Sequence, residues 1–153
     1  IKPTHGYGGK NILFINKILV KKNIIKFIKK HQQVMVQKFI PKIRYGDKRI
    51  FIIGGEVKGA IKRIPKKGSI VSNIAQGGTA VKTKLTKREI YIAKFVAKNL
   101  KKNNIIFAGI DLISNYLTGD INITSPTGLK NFKDLTGKDL AIDFWNYLET
   151  KLK

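Results

Sequence analysis

Apolar residues recur along the chain at two spacings, and these divide it into strands and helices. Residues 12–15 read as a short strand. Residues 16–30 read as an amphipathic helix, with Ile18, Leu19, Ile25 and Ile28 on one side and lysines on the other. A strand over 34–40 is ended by Pro41. Strands over 48–53 and 56–63, joined by Gly54-Gly55, form a predicted β-hairpin. Residues 64–83 carry Pro65, Gly68, Gly77 and Gly78 and read as one long loop, a length that compact domains keep mainly for functional or mobile segments. A helix is predicted over 86–102, opened by a capping box in which Thr86 and Glu89 exchange hydrogen bonds with each other's backbone. Strands follow over 105–113 and 116–123. A closing helix over 139–153 turns Leu140, Phe144, Tyr147 and Leu148 inward. No repeat or low-complexity linker interrupts the series. The mix predicts an α+β fold with a largely antiparallel sheet.

Composition bounds this picture. The 153 residues are 42% apolar, enough for one core. No cysteine is present, so a disulfide framework, a thiolate metal site and a cysteine nucleophile are excluded. Apolar runs are short and broken by lysine, which argues against a transmembrane helix. No stretch at the start reads as a signal peptide, and the expected location is cytoplasmic. The sequence opens on Ile1-Lys2-Pro3, as if inside a strand, and a fragment of a longer protein is expected.

The net charge of +22 invites a nucleic-acid reading. The basic residues, however, are 27 lysines and 4 arginines, beside 25 isoleucines and 11 asparagines. All three abundant types have A/T-rich codons, so base-composition drift raises them together. Nucleic-acid readers lean on arginine for bidentate contacts, and these lysines are spread along the whole chain. A solvated lysine coat is therefore favoured over a specific nucleic-acid surface. Phe27, Phe39, Phe51, Phe95 and Phe107 sit at apolar-periodic positions and read as core, where a nucleic-acid binder would expose its aromatics. Against such a background each arginine or acid is the more informative.

Four segments carry candidate chemistry. Lys2-Pro3 followed by His5-Gly6-Tyr7-Gly8-Gly9-Lys10 offers a lysine and glycine amides to a phosphate. It matches neither a Walker A loop nor a dinucleotide fingerprint, and alone it is equally an ordinary turn. Gly46-Asp47-Lys48-Arg49 enters a strand and is read either as an anion clamp or as a turn with a solvated ion pair. Asp111 and, on the next strand, Asp120 and Asn122 share a face if the turn between the strands is two residues long. Two carboxylates and an amide oxygen then make an oxygen site suited to Mg²⁺, unless a bulge at Gly119 flips the alternation. Thr124-Ser125-Pro126-Thr127-Gly128 supplies hydroxyls and amides that can hold a carboxylate, or is a plain connector.

In this order these segments resemble the ATP-grasp carboxylate–amine ligases, and within them the prokaryotic glutathione synthetase family. The resemblance is carried by Lys2-Pro3, Gly6 to Gly9, Gln37-Lys38-Phe39-Ile40-Pro41, Gly46 to Arg49, Ala60 to Pro65, Asn73 with Gln76-Gly77-Gly78, Phe107 to Asp111 and Asp120 to Gly128. It runs over nearly the whole chain. It implies the C-terminal portion of an ATP-grasp fold. It implies ATP as co-substrate, with Lys2 and the turn holding Gly6, Gly8 and Gly9 at the phosphates, and with Gln37, Lys38, Phe39, Ile40 and Asp47 in the nucleotide site. Asp111, Asp120 and Asn122 would hold Mg²⁺ or Mn²⁺. Arg49 and Arg63 would be catalytic, facing the reacting carboxylate and its acyl phosphate. Asn73, Ser125, Thr127 and Gly128 would seat the substrate, and residues 64–79 would close over it.

The reaction so implied joins glycine to γ-glutamylcysteine through an acyl phosphate, giving glutathione, ADP and phosphate, in a homo-oligomer with no membrane or specific nucleic-acid partner. Three features depart from the family's pattern. Asp120, beside an extra Gly119, stands in place of a glutamate. Val71 stands near a usual arginine. The substrate-binding domain and a small subdomain ahead of Lys2 are missing, so the isolated chain is expected to be inactive. Another ATP-grasp ligase, or a basic nucleic-acid module, are the alternative readings.

Overall fold

The computed structural model describes residues 1–5, 11–15, 21–114 and 116–152, with only the backbone of 117–119. The chain divides into two compact units, Ile1–Pro41 and Lys42–Lys153.

In the first unit, β1 (Lys2–Pro3) pairs antiparallel with β2 (Val34–Met35). Ile1 and Leu13 exchange backbone hydrogen bonds of 2.8 Å in both directions, but residues 12–15 form no strand of their own. The strand expected over 34–40 shrinks to β2, and 36–40 are irregular. Helix α1 (Lys21–His31) accounts for the end of the expected helix; its start, with Ile18 and Leu19, lies outside the described residues. Phe14 and Phe39 meet edge to face, ring centroids 4.6 Å apart. Among the described residues of this unit none is buried, because two-residue strands and one helix cannot enclose the apolar groups they carry.

The second unit is built on a five-stranded antiparallel sheet in the order β5-β4-β3-β6-β7. Its strands are β3 (Asp47–Ile53), β4 (Glu56–Ile64), β5 (Thr79–Lys82), β6 (Phe107–Ile113) and β7 (Tyr116–Asn122). The predicted hairpin is present, with Gly54 and Gly55 both at positive φ as so tight a turn requires. β3 is central, paired with β4 along its whole length and with β6 from Lys48 to Ile53. The expected loop over 64–83 is only partly a loop. Its last residues form β5, an edge strand whose four residues carry too weak an alternation to stand out. Helix α3 (Leu129–Thr136), short and ended by Gly137 at positive φ, was not legible either.

Alternation along β3 sends its residues to two different environments. Ile50 and Ile52 join Ala108, Ile110 and Leu112 beneath helix α2 (Lys87–Lys102), which contributes Ala93, Val96, Ala97 and Leu100. The Thr86–Glu89 capping box opens α2 as expected. On the other face Phe51, Ile53 and Ile61 pack with Phe132 of α3 and Leu140 of helix α4 (Leu140–Leu152). Burying each large side chain contributes roughly 1.5–3 kcal/mol. Of the five phenylalanines expected in the core, Phe51 is fully buried, whereas Phe95 on α2 is 63% exposed and Phe39 is 39% exposed. A helical period places a residue on a face but does not say where that face ends.

Candidate active site

The α3/α4 face of the sheet is apolar at only one end. At the other end β3 carries Asp47 and Arg49, β4 carries Arg63 and β6 carries Asp111. Asp47 pairs in register with Arg63, and Arg49 with Asp111. Directly paired residues share a face, so the ladder delivers two acids and two guanidinium groups to one spot.

All four are buried. Arg49 grips Asp111 with both branches: Nε donates to Oδ1 at 2.5 Å and Nη2 to Oδ2 at 3.0 Å. Arg63 grips Asp47 in the same way, at 2.8 and 2.5 Å. Its Nη2 also lies 2.8 Å from Asp111 Oδ2 and links the two pairs. Burial works against the Arg63 charge, but the Asp47 bonds and the charges of Asp111 and Asp47 outweigh it and raise its pKa further.

Two loops finish the cluster. Arg63 Nη1 donates to the Asn73 side-chain carbonyl at 3.3 Å, and Arg49 Nη1 to the Thr127 backbone carbonyl at 3.2 Å. Gly109 pairs with Phe51 between the apolar and charged ends. A Cβ there would sit 2.9 Å from Arg49 Cδ and 3.1 Å from Pro126 Cβ, so the missing side chain is what admits the arginine. Gly46, at φ +95°, turns the chain into β3, and a Cβ there would lie 2.4 Å from the Arg63 carbonyl oxygen.

The opposite side of β3 is tied down as well. Lys48 Nζ donates to Glu89 Oε2 at 2.7 Å and to the Lys84 carbonyl at 2.9 Å. The same Glu89 oxygen accepts from the Thr86 amide at 2.7 Å. The capping glutamate of α2 is therefore also the anchor behind Asp47 and Arg49, a double role the sequence signals only through its spacing.

The structure thus brings together Asp47, Arg49, Arg63, Asn73, Asp111 and Thr127. Thr127 contributes its carbonyl here, where a hydroxyl was expected. Asp47, expected at the nucleotide, has both oxygens on Arg63. Lys2, Gln37, Lys38, Phe39 and Ile40 fall in the first unit, and Gly6, Gly8 and Gly9 lie outside the described residues. Ser125 and Asn122 close a turn: the Asn122 carbonyl accepts from the Thr124 and Ser125 amides at 3.2 and 3.0 Å, and its NH₂ donates to the Ser125 carbonyl at 3.2 Å. Gly128, at φ +107°, lets the chain pass over Phe51 and Ile61.

The register of β6 and β7 resolves the question of alternation. Ile113 pairs with Tyr116, as a two-residue turn requires, and Asn122 pairs with Gly109. Between these points one residue of β6, Asp111, faces three of β7, residues 118–120. The irregularity near Gly119 therefore adds two residues, an even number, and Asp111 and Asn122 stay on one face. The donors nevertheless do not fit a divalent cation as they stand. Both Asp111 oxygens are taken by guanidinium groups, the Asn122 carbonyl by backbone amides, and Asp120 is exposed. Among the described residues no three His, Cys, Asp or Glu side chains gather at a metal-like spacing.

The family described as prokaryotic glutathione synthetase, ATP-grasp domain, matches residues 1–137. The chain belongs to this family. Its relatives include proteins named glutathione synthetase from Prochlorococcus marinus, 42% identical over 144 residues, Nostoc sp., 38% over 156, and Rhodopseudomonas palustris, 35% over 157. They align with 92%, 100% and 99% of the chain but with only 47%, 48% and 49% of themselves. The chain spans about half the length of the curated relatives it matches.

Proposed function

We propose that this chain is the ATP-grasp half of a glutathione synthetase, which uses ATP to activate the C-terminal carboxylate of γ-glutamylcysteine and joins it to glycine. The observation that carries the reading is the paired Arg49 and Arg63, buried side by side on a sheet face in a chain of this family. Two fixed guanidinium groups suit a reaction whose carboxylate, acyl phosphate and departing phosphate are all anionic. They need not rearrange as charge moves, because the sheet register and the two aspartates hold them. Asn73 and the 125–128 turn, which touch the two arginines, are the substrate-side contacts in this reading. Lys2, Gly6, Gly8, Gly9 and Gln37 to Ile40 form its nucleotide side. Among the described residues no helix is long and apolar enough to cross a membrane, and a cytoplasmic homo-oligomer is the form proposed.

The reading also holds that the chain is incomplete as an enzyme. It covers half of each relative, and its first unit buries none of its described residues. The test is phosphate release from ATP with γ-glutamylcysteine and glycine, measured on this chain alone and on this chain joined to the half of the Prochlorococcus protein that it does not match. Glycine-dependent turnover in the joined protein, lost in Arg49→Met, is the expected result. No turnover with these substrates in a well-folded joined protein, or turnover with other amines in place of glycine, would point to a different ATP-grasp ligase.

A further inference from the structure

Arg49 and Arg63 belong to the charged cluster. Arg88 lies elsewhere, on helix α2, which covers the opposite face of the sheet. Its guanidinium sits over the Tyr91 ring, 5.5 Å from the centroid. Tyr91 and Phe95 are each 63% exposed. They stand one helical turn apart, about 6 Å along the axis. Both line a groove of about 500 Å³ that also takes in Arg88, Asn99 and Asn103. Its floor is apolar, and its far wall is Ile121 of the edge strand β7.

The charge around the groove has one sign. Lys87, Arg88, Lys94, Lys98, Lys101 and Lys102 are all exposed on α2. The one acid of this helix, Glu89, is buried and held by Lys48. A second copy of the chain laid on this face would set cations against cations, so the groove suits an anionic occupant. The two asparagines narrow the kind of anion. Asn99 and Asn103 donate their NH₂ groups to the carbonyls of Phe95 and Asn99, both at 2.8 Å, which leaves their side-chain carbonyl oxygens as acceptors at the groove. A phosphate or carboxylate gives nothing to an acceptor, whereas a ribose 2′-hydroxyl is a donor. Lysines spread along the chain carry no such reading by themselves. Stacking rings, charge of one sign and sugar acceptors gathered in one groove do.

We propose that the α2 groove binds single-stranded RNA without reading its sequence. Two neighbouring bases stack on Tyr91 and Phe95, Arg88 and the flanking lysines take the phosphates, and Asn99 or Asn103 accepts from a 2′-hydroxyl. Stacking tolerates any sequence because every base has a π-face. This surface lies on the face of the sheet away from Arg49 and Arg63 and does not depend on the ATP reaction.

The test is fluorescence anisotropy of a labelled oligouridine of about 15 nucleotides, titrated with the chain. Tyr91→Ala with Phe95→Ala leaves the charge unchanged, and both side chains are exposed enough for the fold to survive their loss. This double variant should bind about tenfold or more weakly than the wild type. Lys26→Gln with Lys30→Gln on α1 removes two charges away from the groove and should weaken binding by less than about threefold. The wild type should hold oligouridine more tightly than oligodeoxyuridine, and Asn99→Ala with Asn103→Ala should remove that preference. No binding by the wild type, or equal affinity in the aromatic variant, overturns the proposal, the latter because a lysine coat alone would then be responsible. Equal affinity of the wild type for the two oligonucleotides overturns it as well. So does a requirement for the two rings in binding phosphatidylserine vesicles, polyglutamate or a second copy of the chain, with oligouridine binding unaffected by their loss.

Discussion

Phe51 and Arg49 stand two residues apart on one strand and one face, yet they live by different rules. Around Phe51 the face is filled by Ile53, Ile61, Phe132 and Leu140, and each contact contributes a little. Around Arg49 it is filled by Asp47, Arg63 and Asp111, each satisfied by named partners. The apolar end is incremental, since a smaller side chain loses some contact and leaves a small cavity. The charged end is close to all or none, since removing one member strands another in a place without water. Two acids and two arginines cost their hydration to be there, and apolar residues of similar volume would hold the sheet at least as well. The difference is the one expected if, as the proposed function has it, the charged end is kept for chemistry and stability is left to the apolar end.

The largest effect should come from breaking the charged end on one side. Arg63→Met leaves Asp47 buried without its guanidinium, and urea unfolding should show a loss of about 3–5 kcal/mol. A loss below about 1 kcal/mol would mean that the cluster is open to water and behaves like a surface pair. Next comes the border between the two ends. Gly109→Ala puts a methyl group against Arg49 and Pro126 and should cost about 1–3 kcal/mol, with the Arg49 side-chain resonance displaced in spectra. At the apolar end Ile53→Val should cost only about 0.5–1.5 kcal/mol, by the same unfolding measurement.

The smallest effect belongs to a partly exposed pair outside both ends, Lys133 and Asp139. Asp139 is held below the ordinary carboxylate range, first by the bond from Lys133 and then by the Ala141 amide. Its folded pKa lies below its unfolded one. Its contribution is therefore complete above the ordinary carboxylate range and fades as pH falls through the lowered value. Lys133→Met should therefore lower stability slightly at neutral pH, and in a pH series of thermal melts the difference from the wild type should vanish as pH falls through the lowered value.

The second unit was legible in the sequence because its signals reinforce one another. Gly54-Gly55 fixes the hairpin, Thr86 with Glu89 fixes the start of α2, and the apolar run Ile50 to Ile53 and the apolar-rich 105–113 mark β3 and β6. What escaped lacked such agreement. β5 has four residues and α3 has eight, too short for a period to show, and 36–40 lie outside any strand. The site was legible by type more than by role. Arg49, Arg63 and Asp111 stood out against the lysine background, but that Asp47 serves Arg63 depends on strand register, and the notch at Gly109 depends on the packing of Arg49. Neither has a local signal.

The most direct test of the claim that the charged end is kept for chemistry is the stability of a double variant, Asp47→Leu with Arg63→Met, against each single change. Urea unfolding should find the double variant as stable as the wild type or more stable by about 1–4 kcal/mol, while each single variant loses several. If the double variant instead loses as much as the two single changes combined, the buried pair is holding the fold together, and the account of the charged end is wrong.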